Sequence, residues 1–189
     1  MSRIHATQTE VKYLTEEQVT ALFHAIHSTR DKAIFRLIYH RGLRASEPGL
    51  LTMADYDPAN SSMWVHRKKG SESGRFYLLP VEATAVRAWV KKRGILAGPL
   101  FPSRKHTPIS RDQIHDMMRR YSALAGIPLE SAHPHALKHS CGTHVLARVK
   151  DLSIVQNWLG HRSIASTEIY AKVLGQALQE ATAQLRDWK

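Results

Sequence analysis

Apolar residues recur at helical intervals from the start of the chain. Val19, Leu22, Phe23 and Ile26 are spaced three and four apart, which lines one face of a helix. Thr15-Glu16-Glu17-Gln18 ahead of them is a capping box, with Thr at the N-cap and Gln three residues on. A second helix is predicted over about 30–40, with Ile34, Leu37 and Ile38 inward and Gly42 as its stop. A short helix follows Ala45 and admits Pro48 only near its start. The period then changes. Asp57-Pro58-Ala59-Asn60 is turn chemistry, and 63–66 and 76–79 read as strands joined by the polar loop 68–74. From Val81 onward the pattern is helical again, over about 81–93, 110–125, 134–149, 151–159, 163–173 and 175–188. Glycines and prolines at 94, 98–99, 102, 126–128 and 160 punctuate it. The fold class is therefore mainly α with a small antiparallel β-sheet of two or three strands. The expected organisation is a loose polar arm, 1–12, and one domain, 13–189, whose helical tail begins near 174.

Composition narrows the partner. Hydrophobic residues make up 43% of the chain, enough for a packed core and too many for whole-chain disorder. Twenty-seven Lys and Arg against 16 Asp and Glu leave a net charge of +11, which points to a polyanion such as nucleic acid. The single cysteine, Cys141, rules out an internal disulfide framework and fits a reducing, cytoplasmic setting. No apolar run reaches the roughly 18 residues needed to span a bilayer, and the opening residues contain no apolar signal segment.

Three stretches could carry chemistry. In Arg41-Gly42-Leu43-Arg44-Ala45-Ser46-Glu47, a glycine at a helix end separates two arginines, whose planar forks match phosphate oxygens. The plainer reading has Arg41 capping its helix and Arg44 paired with Glu47 on the surface. In His135-Ala136-Leu137-Lys138-His139-Ser140, His135 and Lys138 share a helix face, with Leu137 and Cys141 turned to the core. In Trp158-Leu159-Gly160-His161-Arg162-Ser163, Gly160 ends a helix and leaves His161 in a turn, nine residues before Tyr170. A lone tyrosine there is ordinarily a core residue with its hydroxyl at the surface.

Taken together and in order, RGLRASE, the basic hairpin loop, HPHALKHSCGTH, WLGHRS and TEIY resemble the catalytic domain of the tyrosine recombinases, the family of phage integrases, Xer resolvases and fimbrial inversion recombinases. The resemblance covers about 13–175. It implies a tyrosine recombinase catalytic-domain fold and an enzyme that cuts and rejoins double-stranded DNA through a 3′-phosphotyrosine. Site residues follow from it by position. Arg44 corresponds to the first family arginine, Lys69 to the hairpin lysine with Lys68 as competitor, His135 to the histidine of H-x-x-R, His161 to that of LGH, and Tyr170 to the nucleophile. Lys138 departs from the pattern, standing where the family has arginine. A lysine still supplies a charge but not a bidentate fork, so slower chemistry is expected. The resemblance further implies no metal and no cofactor, a homo-oligomer on DNA, a tetramer, and DNA-bending accessory proteins. Few residues precede the catalytic motifs, which fits either the short inversion recombinases or an excised catalytic domain.

Two rivals stand beside this reading. His135 and His139, four apart, could share a zinc ion in a hydrolase, although Lys138 would repel it. A weak or inactive relative that binds DNA as an accessory or regulatory protein would account for Lys138. The recombinase reading requires Arg44, Lys69, His135, Lys138 and His161 to converge on one phosphate before the Tyr170 phenol.

Overall fold

The computed structural model describes residues 12–68, 71–173 and 175. Helix α1 (Glu16–Ala25) starts at the expected capping box: Thr15 Oγ1 accepts from the Gln18 amide at 3.2 Å and Gln18 Oε1 accepts from the Thr15 amide at 3.0 Å. Its inward residues Val19, Leu22 and Phe23 are buried. Helix α2 (Thr29–Arg41) ends where Gly42 turns left-handed, at φ 56°. Ile34, Leu37 and Ile38 on α2 are fully buried, each removal from water stabilising by roughly 1.5–3 kcal/mol. Pro48 opens a 3₁₀ turn, Pro48–Leu50, in place of a short α-helix. That is the geometry a proline at the first position tolerates.

The sheet has three antiparallel strands in the order β1 (Tyr56–Asp57), β2 (Ser62–Val65), β3 (Gly74–Tyr77). Met63 faces Tyr56 on one side and Phe76 on the other. Helix α3 (Pro80–Arg93) packs on α2, and α2 packs in turn on α5 (Pro134–Val149). Helix α4 (Arg111–Leu124) lies against α1. These elements enclose the main core.

Helix α6 (Leu152–Leu159) builds a second, smaller apolar cluster with α5, comprising Cys141, Leu146, Val155, Leu159 and Tyr170. One expected helix is corrected here. The stretch predicted as continuous over 163–173 begins as a 3₁₀ turn, Ile164–Ser166, and is α-helical only over 168–173. Ser163 makes no side-chain cap to open it. The expected arm lies almost wholly outside the described residues, as do Lys69 and the tail from 174 apart from Gly175. No helix of the described residues is long and apolar enough to cross a membrane.

Candidate functional site

The site is assembled around the C-terminal end of α2. The last carbonyls of a helix have no partner within it, and here side chains from two other regions take them. Trp158 Nε1 on α6 donates to His40 O at 2.6 Å. Arg67, just beyond β2, donates to Arg41 O at 2.6 Å and Gly42 O at 3.1 Å. Gly42 is required because a side chain there would collide with Leu159 and strain a left-handed backbone. The chain that leaves this junction carries Arg44.

Arg44 is held on several sides. Its Nη1 donates to Glu47 Oε1 at 3.0 Å and to Ser71 Oγ at 3.1 Å, and its amide donates to Glu47 Oε2 at 2.8 Å. The surface pair of the plainer reading therefore exists, but on a carboxylate with no exposure at all. The same carboxylate accepts from Arg67 at 3.2 Å and from the Lys68 amide at 3.1 Å. Burial pushes the Glu47 carboxyl up, but the Arg67 charge, the Arg44 and Lys68 amides and the Lys138 charge outweigh it and hold the group below its ordinary range.

Lys138 on α5 completes the group. It is 3% exposed, and among the described residues its Nζ has no hydrogen-bond partner. Burial first, then the charges of Arg44 and Arg67, push it down to about 8, with Glu47 opposing. One buried carboxylate thus serves Arg44, Arg67 and Lys138, and the excess charge is positive. A buried cation that must share its counter-ion with two others is costly, and an anion delivered to the site would relieve the cost.

The histidines surround this charge. His161 lies in the turn after α6, its Nδ1 3.1 Å from Thr167 Oγ1 and its backbone bridged to Ser71. Burial together with the Lys138, Arg44 and Arg67 charges pushes it down to about 4. His135 projects from the first turn of α5 and is lowered by burial, Lys138, His133 and Arg44. At neutral pH both rings are therefore neutral, and the arrival of a phosphate would raise both. His139, one turn on, stacks edge-to-face on His135 with ring centroids 4.2 Å apart. Among the described residues no group of three or more His, Cys, Asp or Glu side chains is placed to hold a metal ion, so the His135–His139 pair has no third ligand there.

A cleft of about 440 Å³ is lined by Arg44, Lys68, Arg111, His115 and His135 together with Leu43, while Lys138, His139 and His161 are not among its lining residues. Among the described residues no Asp or Glu lines it.

Tyr170 differs from expectation. The Lys138 and Arg44 charges act on both His135 and His161, and Arg44 acts on Lys138, so the two histidines lie around one pair of cations. The phenol does not stand in front of them. It is 1% exposed, in the α5–α6 cluster, with its ring over the backbone of Gly142 and 5.8 Å from the His139 ring. Burial raises its ionisation above the ordinary range. The physical reason is local. Gly142 leaves a bare patch on α5 that a flat ring fills, and any side chain at 142 would overlap it. Lys69 lies outside the described residues, while Lys68, exposed at the cleft, is anchored through its amide to Glu47.

Three of these features escaped the sequence reading: the full burial of Glu47, the partnerless Lys138 ammonium, and Arg67. Arg67 sits in the basic run Arg67-Lys68-Lys69 and has the look of solvated loop charge. Its carbonyl partners lie 25 and 26 residues away, beyond any local pattern.

Comparison with known proteins identifies the family. A sequence profile of the phage integrase family matches residues 12–176, and the chain belongs to that family. It is 33% identical over 184 residues to the tyrosine recombinase XerD of Vibrio cholerae serotype O1, covering 89% of this chain and 59% of that protein. It is 32% identical over 188 residues to XerD of Yersinia pestis, covering 92% and 61%. The chain thus spans about three fifths of the length of these relatives. Among solved structures, the XerA recombinase superposes with a TM-score of 0.79 at 29% identity, covering 94% of this chain and 66% of that one. The XerH site-specific recombinase, in a post-cleavage complex with a palindromic difH substrate, superposes at 0.80 with 22% identity, covering 96% and 55%. The fold is the tyrosine recombinase catalytic-domain fold.

Proposed function

We propose that the chain cuts and rejoins double-stranded DNA as a site-specific recombinase, with Tyr170 as the covalent nucleophile. The observation that carries this is a cleft lined by Arg44, Lys68, Arg111, His115 and His135 with no Asp or Glu among the described residues lining it, backed from the interior by the Lys138 charge, which shares the field of Arg44. A scissile phosphate placed there would meet Arg44 as a fork and Lys138 as a point charge, and both would stabilise the extra negative charge of the pentavalent state.

The Tyr170 oxygen attacks phosphorus. A Tyr–O–P bond forms, the bond to the 5′-oxygen breaks, and the 3′ end stays on the protein. The phenol proton passes to His135, which burial keeps neutral and able to accept it. His161 donates to a phosphoryl oxygen. The departing 5′-oxygen takes a proton from the hairpin lysine, Lys69 or its neighbour Lys68. The reaction reverses when a partner strand's 5′-hydroxyl attacks the phosphotyrosine, so bond energy is conserved without metal or nucleotide. Before any of this the Tyr170 ring must leave Gly142 and enter the cleft. Lys68, Arg111 and His115 would bind neighbouring phosphates, which makes affinity fall steeply with salt. Exchange between two sites calls for a homo-oligomer on DNA, a tetramer, with DNA-bending proteins as accessories.

A duplex nicked next to the scissile phosphate traps the covalent step. Wild-type protein is expected to give a DNA–protein adduct and Tyr170→Phe none. DNA binding with no adduct from the wild type would leave a binding module and end the recombinase reading.

A further inference from the structure

We propose that Arg67 is a positioning residue for this chemistry, holding Arg44 and the hairpin loop in register with the phosphate while never touching the phosphate itself. The inference rests on the recombinase reading above.

The Arg67 side chain has no exposure, so it cannot reach DNA. Its guanidinium instead spans three acceptors: the carbonyls of Arg41 and Gly42, and Glu47 Oε2. The first two fix the point where the chain turns out of α2 toward Arg44. The third fixes the carboxylate that grips both the Arg44 amide and its guanidinium. Glu47 also holds the Lys68 amide, and the Arg67 amide donates to Ser73 Oγ at 2.9 Å, so the base of the β2–β3 loop is tied to the same point. That loop in turn reaches the His161 turn, through the bridge between Ser71 and His161 and the Glu72 amide donating to Gly160 O at 2.8 Å. Arg67 therefore lies behind Arg44, Lys68 and His161 at once.

Electrostatics gives the arrangement its direction. With Arg67 present, Glu47 is shared among several donors and is only a partial counter-charge to Arg44 and Lys138. Without it, the Glu47 charge already paired with Arg44 would no longer be shared with Arg67 and would cancel more of the charge meant for the phosphate. A helix cap of purely structural value would have no such effect on the reaction.

A double-mutant cycle separates the two possibilities. Single-turnover adduct formation on the nicked duplex is measured for the wild type, Arg67→Met, Arg44→Ala and the double variant, with the melting temperature of each recorded. Arg67→Met is expected to slow the step about a hundredfold, comparable to losing one oriented donor. Because Arg67 acts in large part through Arg44, the double variant should be slowed by clearly less than the product of the two single penalties. Arg67→Lys, which keeps the charge but loses the fork, should recover part of the rate. If Arg67→Met does not fold, Arg67→Lys takes its place in the cycle and should show the same non-additivity. Penalties that multiply, or an Arg67→Met rate close to wild type, would overturn the proposal. Absence of adduct from the wild type would instead bring down the recombinase reading on which it stands.

Discussion

Arg41 and Arg44 stand three residues apart and live in opposite electrostatic worlds. Arg41 is buried and paired with Glu82, whose two oxygens both accept from its guanidinium. Glu82 also takes the Leu79 amide at 2.7 Å, and the Arg41 guanidinium lies 4.6 Å from the centre of the Trp158 ring. That cluster is one cation to one anion, and it is closed. Around Arg44 a single carboxylate answers to Arg44, Arg67 and Lys138, and the cluster is open toward the cleft. Balanced charge in an interior holds a fold together, whereas unbalanced charge in an interior waits for a ligand.

The contrast can be broken most forcefully on its structural side. Glu82→Gln leaves Arg41 buried without a counter-charge and should cost roughly 3–5 kcal/mol, a fall of about 10 °C in melting temperature. A thermal melt that barely moved would mean that the Arg41 pair is not what secures α2 to α3.

On the open side stability and activity should part company. Lys138→Met removes a buried cation that makes no hydrogen bond among the described residues and only shares Glu47, so the free protein should gain about 1–3 kcal/mol. Adduct formation should nonetheless fall at least a hundredfold. Denaturant unfolding and single-turnover cleavage on the same preparations check both halves, and a parallel loss of both would place Lys138 with the structural charges.

Titration sharpens the same point. Lys138 is pushed down to about 8 by burial, Arg44 and Arg67. In the free protein its charge is therefore lost as pH rises through 8, while an unfolded chain keeps its own until near 10.5. Between those values the unfolded state binds more protons, so this residue adds stability as pH rises. Cleavage needs the ammonium and should decline across the same window, visible in kcat/KM, which reports the free protein. Lys138→Arg should remove that alkaline decline and raise the rate at pH 9 by up to about tenfold. A profile identical to that of the wild type would show that Lys138 does not titrate where its surroundings place it.

The smallest expected effect belongs to the junction between the two clusters. Trp158→Phe deletes one hydrogen bond to His40 O and should lower stability by about 1 kcal/mol. The cleavage rate should stay within about threefold of wild type, as measured in the nicked-duplex assay.

Local patterns in the sequence carried the helices and the placement of several site residues. The Thr15 capping box, the Gly42 stop and the inward face of α2 are properties of short windows, and they appear as read. What was not legible depends on distant partners. Lys138 reads as a surface helix residue until the fold buries it beside Arg44, Arg67 and Glu47, which come from distant parts of the chain. Glu47 reads as half of an exposed i,i+3 pair until Arg67 arrives from 20 residues away. Motif position marks Tyr170 only as the candidate nucleophile, and its withdrawn pose follows from the missing side chain at Gly142, which only the packing of α5 against 168–173 reveals.

That seat at Gly142 joins reactivity to repacking. The ring that would perform the chemistry is also the filler between two helices, and lifting it out would leave a void that a close-packed interior resists. If the proposed reaction holds, the protein free in solution keeps its warhead sheathed, and the energy to draw it would have to come from the grip on DNA.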